Sequence, residues 1–124
     1  MGLGDALAVL TIPVTDLDRA REFYGETLGL RLLFEAGPSI RWEAGNGSQV
    51  STFRRGPTLA DHTVGHFEVA DIDATVRGLE DRGVEFLDYD TEYLRTVNHI
   101  AQLGPARGAW FRDPFGNILG VRQG

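Results

Sequence analysis

The chain has 124 residues, 42% of them hydrophobic and 24% charged, with a formal net charge of −6. This length suits one soluble domain with its own core, and the acidic balance argues against general nucleic-acid binding, which needs a basic footprint. The absence of cysteine excludes disulfides, thiolate metal sites and cysteine nucleophiles; with no membrane-length apolar run and no signal-like start, it points to a cytoplasmic protein without a membrane partner.

Alternating apolar residues predict a strand over 7–14, with Leu10, Ile12 and Val14 on one face and Val9, Thr11 and Pro13 on the other. Thr15 is the expected N-cap of a helix whose stripe is Leu17, Ala20, Phe23, Tyr24 and Leu28. Gly29 ends it. Strands follow over 30–35, 39–44 and 48–54, with turns at Gly37-Pro38 and Gly45-Asn46-Gly47. A polar connection over 55–61 leads to a strand over 63–69. Asp71 then caps a helix with Ile72, Val76 and Leu79 on its apolar face, ended by Gly83. Strands are predicted over 84–88, through 109–112, and over 117–123 after an Asp113-Pro114-Phe115-Gly116 turn. Gly25 is assigned to the helix end, and mid-helix Gly78 to close packing.

The order occurs twice. Val14-Thr15-Asp16-Leu17-Asp18 is echoed by Val69-Ala70-Asp71-Ile72-Asp73, with Asp16 and Asp71 55 positions apart. The matching turn glycines, Gly47 and Gly116, are 69 positions apart. Each half reads βαβββ, module one over about 7–54 and module two over about 63–123, within a single domain over 1–124. About 14 extra residues in module two are placed within 89–104, between its second and third strands. Long loops often cover functional sites.

The repeated openings, together with Trp110-Phe111-Arg112-Asp113-Pro114-Phe115-Gly116-Asn117-Ile118-Leu119 and the Arg19, Phe23, Tyr24 and Gly29-Leu30 positions, resemble the vicinal oxygen chelate superfamily. That superfamily includes glyoxalase I, extradiol dioxygenases, fosfomycin-resistance enzymes and bleomycin-resistance proteins. The resemblance implies an α+β fold in which two βαβββ modules form an eight-stranded cup with the helices outside. It also implies a homodimer and metal-ligand positions at Val9, Ser51, Val64 and Gly120. Two valines and a glycine offer no side-chain donor, and serine alone is a poor ligand. No metal and no cofactor are therefore expected.

Strand parity places His66 and Glu68 on the face of Val64, and Ile118 and Arg122 on the face of Gly120. Gly108, Trp110 and Arg112 share the inward side, matched in module one by Ser39, Arg41 and Glu43. Phe111 and Trp42 turn toward the helices. The expected ligand-binding set is Val9, Arg41, Ser51, Phe53, Val64, His66, Trp110, Arg112 and Gly120. His66 is the candidate acid/base, since imidazole titrates near neutral pH. Trp110 is a stacking wall or core filling, and Arg41 and Arg112 are anion contacts or rim arginines. Tyr93 and His99 belong to the insertion and reach the cup only if the loop folds down.

The leading reading is a metal-independent protein binding a small metabolite or antibiotic. One alternative is a metal-free isomerase, epimerase or cyclase using His66. Another is a metal-dependent lyase or dioxygenase with atypical ligands, His66 with Glu68 or His99.

Overall fold

The computed structural model describes residues 2–124, which divide into two compact units, the first ending at Pro57 and the second running from Thr58 to Gly124. Both are α+β. Unit one holds β1 (Val9–Val14), helix α1 (Leu17–Ala20), and strands β2 (Arg31–Ala36), β3 (Ser39–Glu43) and β4 (Gln49–Arg54). The sheet order is β1-β4-β3-β2, with β1 and β4 parallel and the other pairs antiparallel.

The register separates two faces. Ile12, Val14, Ile40, Trp42, Val50 and Thr52 are buried with Ala20, Phe23 and Tyr24 of the helix. The Trp42 indole N–H donates to Thr52 Oγ1 at 3.1 Å, so a buried polar group keeps a partner. Val9, Thr11, Ser39, Arg41, Glu43, Gln49, Ser51 and Phe53 alternate onto the opposite, open face.

The helix departs from expectation in two ways. Its N-cap is Asp16 rather than Thr15, with Asp16 Oδ1 accepting from the amides of Asp18 and Arg19 at 2.8 and 3.1 Å. Asp71 caps the second helix from the equivalent position, accepting from Ala74 at 3.1 Å. In addition, α1 passes into a π-helical stretch over Arg21–Thr27, where the Leu28 amide donates to the Phe23 carbonyl. Gly25 lies within that stretch, and a Cβ there would stand 3.1 Å from the Trp42 ring. Gly25 therefore lets the helix approach Trp42. Gly78, by contrast, has nothing within 4 Å of an added Cβ, so close packing does not account for it.

Unit two holds β5 (Thr63–Glu68), helix α2 (Ile72–Asp81), β6 (Thr96–Val97), β7 (Ile100–Leu103), β8 (Ala106–Arg112) and β9 (Ile118–Gln123), in the order β5-β9-β8-β7-β6. Among the described residues the strands thus number nine where eight are expected. Residues 84–88 form no full strand: Phe86 makes a single bridge to Phe111, and the Leu87 amide donates to the Trp110 carbonyl at 2.7 Å. The chain then leaves the sheet, forms the β6–β7 hairpin, and β7 rejoins β8 through Ala101↔Gly108 and Leu103↔Ala106.

The extra residues therefore interrupt the second strand itself instead of separating it from the third. Unit one shows the uninterrupted form, with β2 running beside β3 from Arg31↔Glu43 to Ala36↔Ser39. The hairpin turns on Asn98 and His99, both left-handed at φ 52° and 73°, as a two-residue primed turn requires.

α2 packs on β8 and β9. Ile72 and Val76 are buried with Ala109, Phe111, Leu119 and Val121. The turn before β9 is built on buried Asp113. Its Oδ1 accepts from the Phe115 and Asn117 amides, both at 2.9 Å, and its Oδ2 from the Asn117 side-chain amide at 2.8 Å. The Asp-Pro-Phe-Gly-Asn segment thus has a structural function. Asp113→Ala leaves these donors without their acceptor and should destabilise the protein by about 3 kcal/mol. Urea denaturation of the variant and parent measures it, and Asp113→Asn should recover part of the loss.

Candidate functional site

The open face of the five-stranded sheet presents three residues in one row. His66 on β5 pairs with Gly120 on β9, which pairs with Trp110 on β8. A Cβ on Gly120 would stand 3.3 Å from both His66 Cβ and Trp110 Cδ1. At Gly108 it would meet Trp110 Cη2 at 3.3 Å and Leu103 Cδ1 at 3.0 Å. The two glycines therefore form a floor on which the indole lies along the sheet. Tyr89 stands edge-on to the indole, with ring centroids 5.6 Å apart and planes at 86°. The hollow is about 240 Å³, and its lining includes Thr63, His66, Leu103, Trp110 and Arg122.

The next row is polar, with Glu68 paired to Arg122 and Arg122 to Gly108. Arg122 Nη1 donates to Glu68 Oε1 at 3.0 Å, and His66 Nε2 lies 3.5 Å from the same oxygen. With Nε2–H directed at Glu68, Nδ1 becomes the free acceptor. The His66 side chain is 49% exposed, so solvent screens this chain of charges; it orients the ring more than it stabilises the fold.

Val64 occupies a bulge in β5: Thr63 pairs with Ile118 and Gly65 with Leu119. Thr63 lines the hollow where simple alternation placed Val64. Arg112 is held by backbone, donating to the Gly116 carbonyl at 2.9 Å and the Ala60 carbonyl at 3.4 Å, which ties the connection to the turn. Val9, Arg41, Ser51 and Phe53 lie on the open face of unit one.

Tyr93 and His99 sit beside α2, away from Trp110. Tyr93 borders a larger groove of about 780 Å³ together with Asp73 and Arg107. There Arg107 Nη2 bonds Asp73 Oδ2 at 3.0 Å and holds the Asp73 carboxyl below its ordinary range. His99 is clasped by Asp88 through Nδ1 at 2.9 Å and by Glu80 through Nε2 at 3.3 Å.

Sequence reasoning missed Tyr89 and Leu103. The signal for Tyr89 was present: with Phe86 turned to the core, Leu87 and Tyr89 alternate onto the face of Trp110. Leu103 was hidden because the strand resumes only after the hairpin.

The metal positions implied by the resemblance do not fit a divalent ion, since Val9, Val64 and Gly120 carry no donor atom and Ser51 supplies one weak hydroxyl. Among the described residues, no three His, Asp or Glu side chains converge as a metal site requires.

Two α+β units, βαβββ in the first and the same order with an interrupted second strand in the second, each with one helix-covered sheet face, define the class. The model of the Glyoxalase/Bleomycin resistance protein/Dioxygenase superfamily matches residues 6–121, and the chain belongs to that superfamily. Among solved structures, a putative glyoxalase family protein from Bacillus anthracis is similar at 19% identity and TM-score 0.73, covering 96% of this chain and 94% of that one. A glyoxalase/bleomycin resistance protein from Streptomyces sp. CB03234 is similar at 26% identity and TM-score 0.69, with 95% and 100% covered. TnmS3, an antibiotic-binding protein from Streptomyces sp. CB03234, is similar at 23% identity and TM-score 0.67, with 99% and 98% covered. No curated protein sequence matches.

The glycine floor makes the site sensitive to one methyl group. Gly120→Ala should displace the indole and His66 by a few tenths of an ångström and cost about 1–3 kcal/mol through overpacking. A shifted Trp110 indole N–H resonance and a lower denaturation midpoint are the expected readouts.

Proposed function

We propose that this protein is a metal-independent small-molecule binder whose ligand lies against Trp110 in the hollow floored by Gly120 and Gly108. The carrying observation is that pair of glycines: they leave room for an indole laid flat beside His66, with Thr63 and Arg122 as the other polar side chains of the lining. An aromatic wall with few polar groups suits an extended, planar metabolite or antibiotic. Similarity to an antibiotic-binding protein supports the same ligand class. Sequestration requires affinity and no chemistry, so the valines and glycine at the metal positions are no obstacle to it.

Thermal denaturation against a panel of planar antibiotics and aromatic metabolites provides the test, because a ligand that binds only the native state raises the midpoint. For any ligand found, Trp110→Ala should weaken binding by about 1–3 kcal/mol through lost stacking area. His66→Ala should also weaken it, and chelator should leave it unchanged. Parent-like binding by both variants would remove the site assignment.

The His66–Glu68–Arg122 chain favours a second reading, proton transfer on the bound molecule with His66 Nδ1 as acceptor. Incorporation of solvent deuterium into ligand, abolished by His66→Ala, would distinguish an isomerase or epimerase from a binder.

We further infer a cytoplasmic homodimer without nucleic-acid or membrane partners. The family resemblance suggests the dimer, and exposed Leu32 and Leu33 on edge strand β2 support it. Sedimentation should give about twice the 13.6 kDa chain mass. A monomer at micromolar concentration would contradict it.

A further inference from the structure

Arg41 on β3 stands directly opposite Ser51 on β4, on the open face of the four-stranded sheet. Its guanidinium carbon lies 5.3 Å from the centroid of the Phe34 ring. Its Nη1 donates to Gln49 Oε1 at 2.8 Å. Its Nε is buried and has no acceptor among the described residues. The nearby acid, Glu43, is taken by Arg31. The Ser51 hydroxyl makes no hydrogen bond among the described residues.

Arg21 shows how the same donor edge is used when filled. Its Nε bonds Glu35 Oε2 at 3.1 Å and its Nη2 bonds Glu35 Oε1 at 2.5 Å, a two-point contact that holds the Glu35 carboxyl below its ordinary range. Arg41 carries the same fork, and no carboxylate of the described residues lies on it. A buried, unpaired N–H of a charged group is costly, and a native fold that keeps one points to a missing acceptor.

We propose that Arg41 and Ser51 form a receptor for the carboxylate of a small organic acid. The Nε and Nη2 of Arg41 take its two oxygens, and the Ser51 hydroxyl donates a third bond. A planar carboxylate matches the fork, and its single charge matches the single cation. Phe34, 50% exposed and next to a bulge in β2, is the side chain that moves to admit it. Phe53, two residues from Ser51 on the same face, provides apolar surface for the body of the acid. This receptor belongs to unit one alone and does not rest on the reading of Trp110 and His66.

The test is side-chain nitrogen NMR of the full chain titrated with benzoate, with benzyl alcohol as the neutral control. The Arg41 Nε–H resonance, identified by its loss in Arg41→Lys, should shift saturably with benzoate and stay in place with benzyl alcohol. Arg41→Gln should weaken benzoate binding at least about tenfold, followed through backbone amides, and Ser51→Ala should weaken it about threefold to tenfold. Arg41→Lys keeps the charge but not the fork, and should bind at least about fivefold more weakly. A resonance unmoved by benzoate, an equal response to benzyl alcohol, or parent-like binding by Arg41→Lys would each overturn the proposal. Should Arg41→Gln fail to fold, the lysine variant and the parent titration still decide the outcome.

Discussion

Each sheet of this protein carries one helix, and a helix covers one face. In unit one that face is closed by Ala20, Phe23 and Tyr24 over Ile12, Ile40, Trp42 and Val50. In unit two it is closed by Ile72 and Val76 over Ala109, Phe111, Leu119 and Val121. Side chains alternate along every strand, so closing one face assigns the other half of the residues to the open side. A one-residue slip of β8 or β9 would exchange Trp110 with Phe111 and Gly120 with Leu119. The row His66, Gly120 and Trp110 exists because the register does not slip, and buried Asp113 helps to hold it at the turn between these strands.

On the open side of unit two, absence of side chains matters as much as their presence. Gly108 and Gly120 remove two Cβ atoms from adjacent strands, and the Trp110 indole occupies the space. The same Gly120 that carries no metal donor thus has a use, as floor for an aromatic ring. His66, in register with Gly120, then stands beside the ring.

The two units begin from one pattern and diverge at the second strand. In unit one β2 runs unbroken, and its bulge presents Phe34 to Arg41. In unit two the equivalent strand is cut, and the intervening chain brings Tyr89 against Trp110 and clasps His99 between Asp88 and Glu80. The interruption is tolerated because only β8 pairs with both parts of the cut strand, while β6 of the inserted hairpin takes the edge. A similar break in β9, which is paired on both sides, would disrupt the sheet.

The repeat, the α+β class, the order of elements and the division of β1, β3, β4, β8 and β9 into two faces were legible in the sequence alone. Period-two alternation and helix-end chemistry are local properties, and residues two or four apart carry them. The placement of His66 and Trp110 near Gly120 followed from the same rule. Tertiary structure decided what depended on residues distant in the chain. The Val64 bulge is a mismatch between β5 and β9, so neither strand alone reveals it. The resumption of the second strand at Ile100–Leu103 is a matter of which segment pairs with β8. Capping by Asp16 instead of Thr15 was written in its correspondence with Asp71, yet two adjacent cap-forming residues compete on equal local terms until the backbone chooses. That Arg41 Nε finds no acceptor among the described residues was also beyond the sequence, because it follows only once every acid within reach has been given its place.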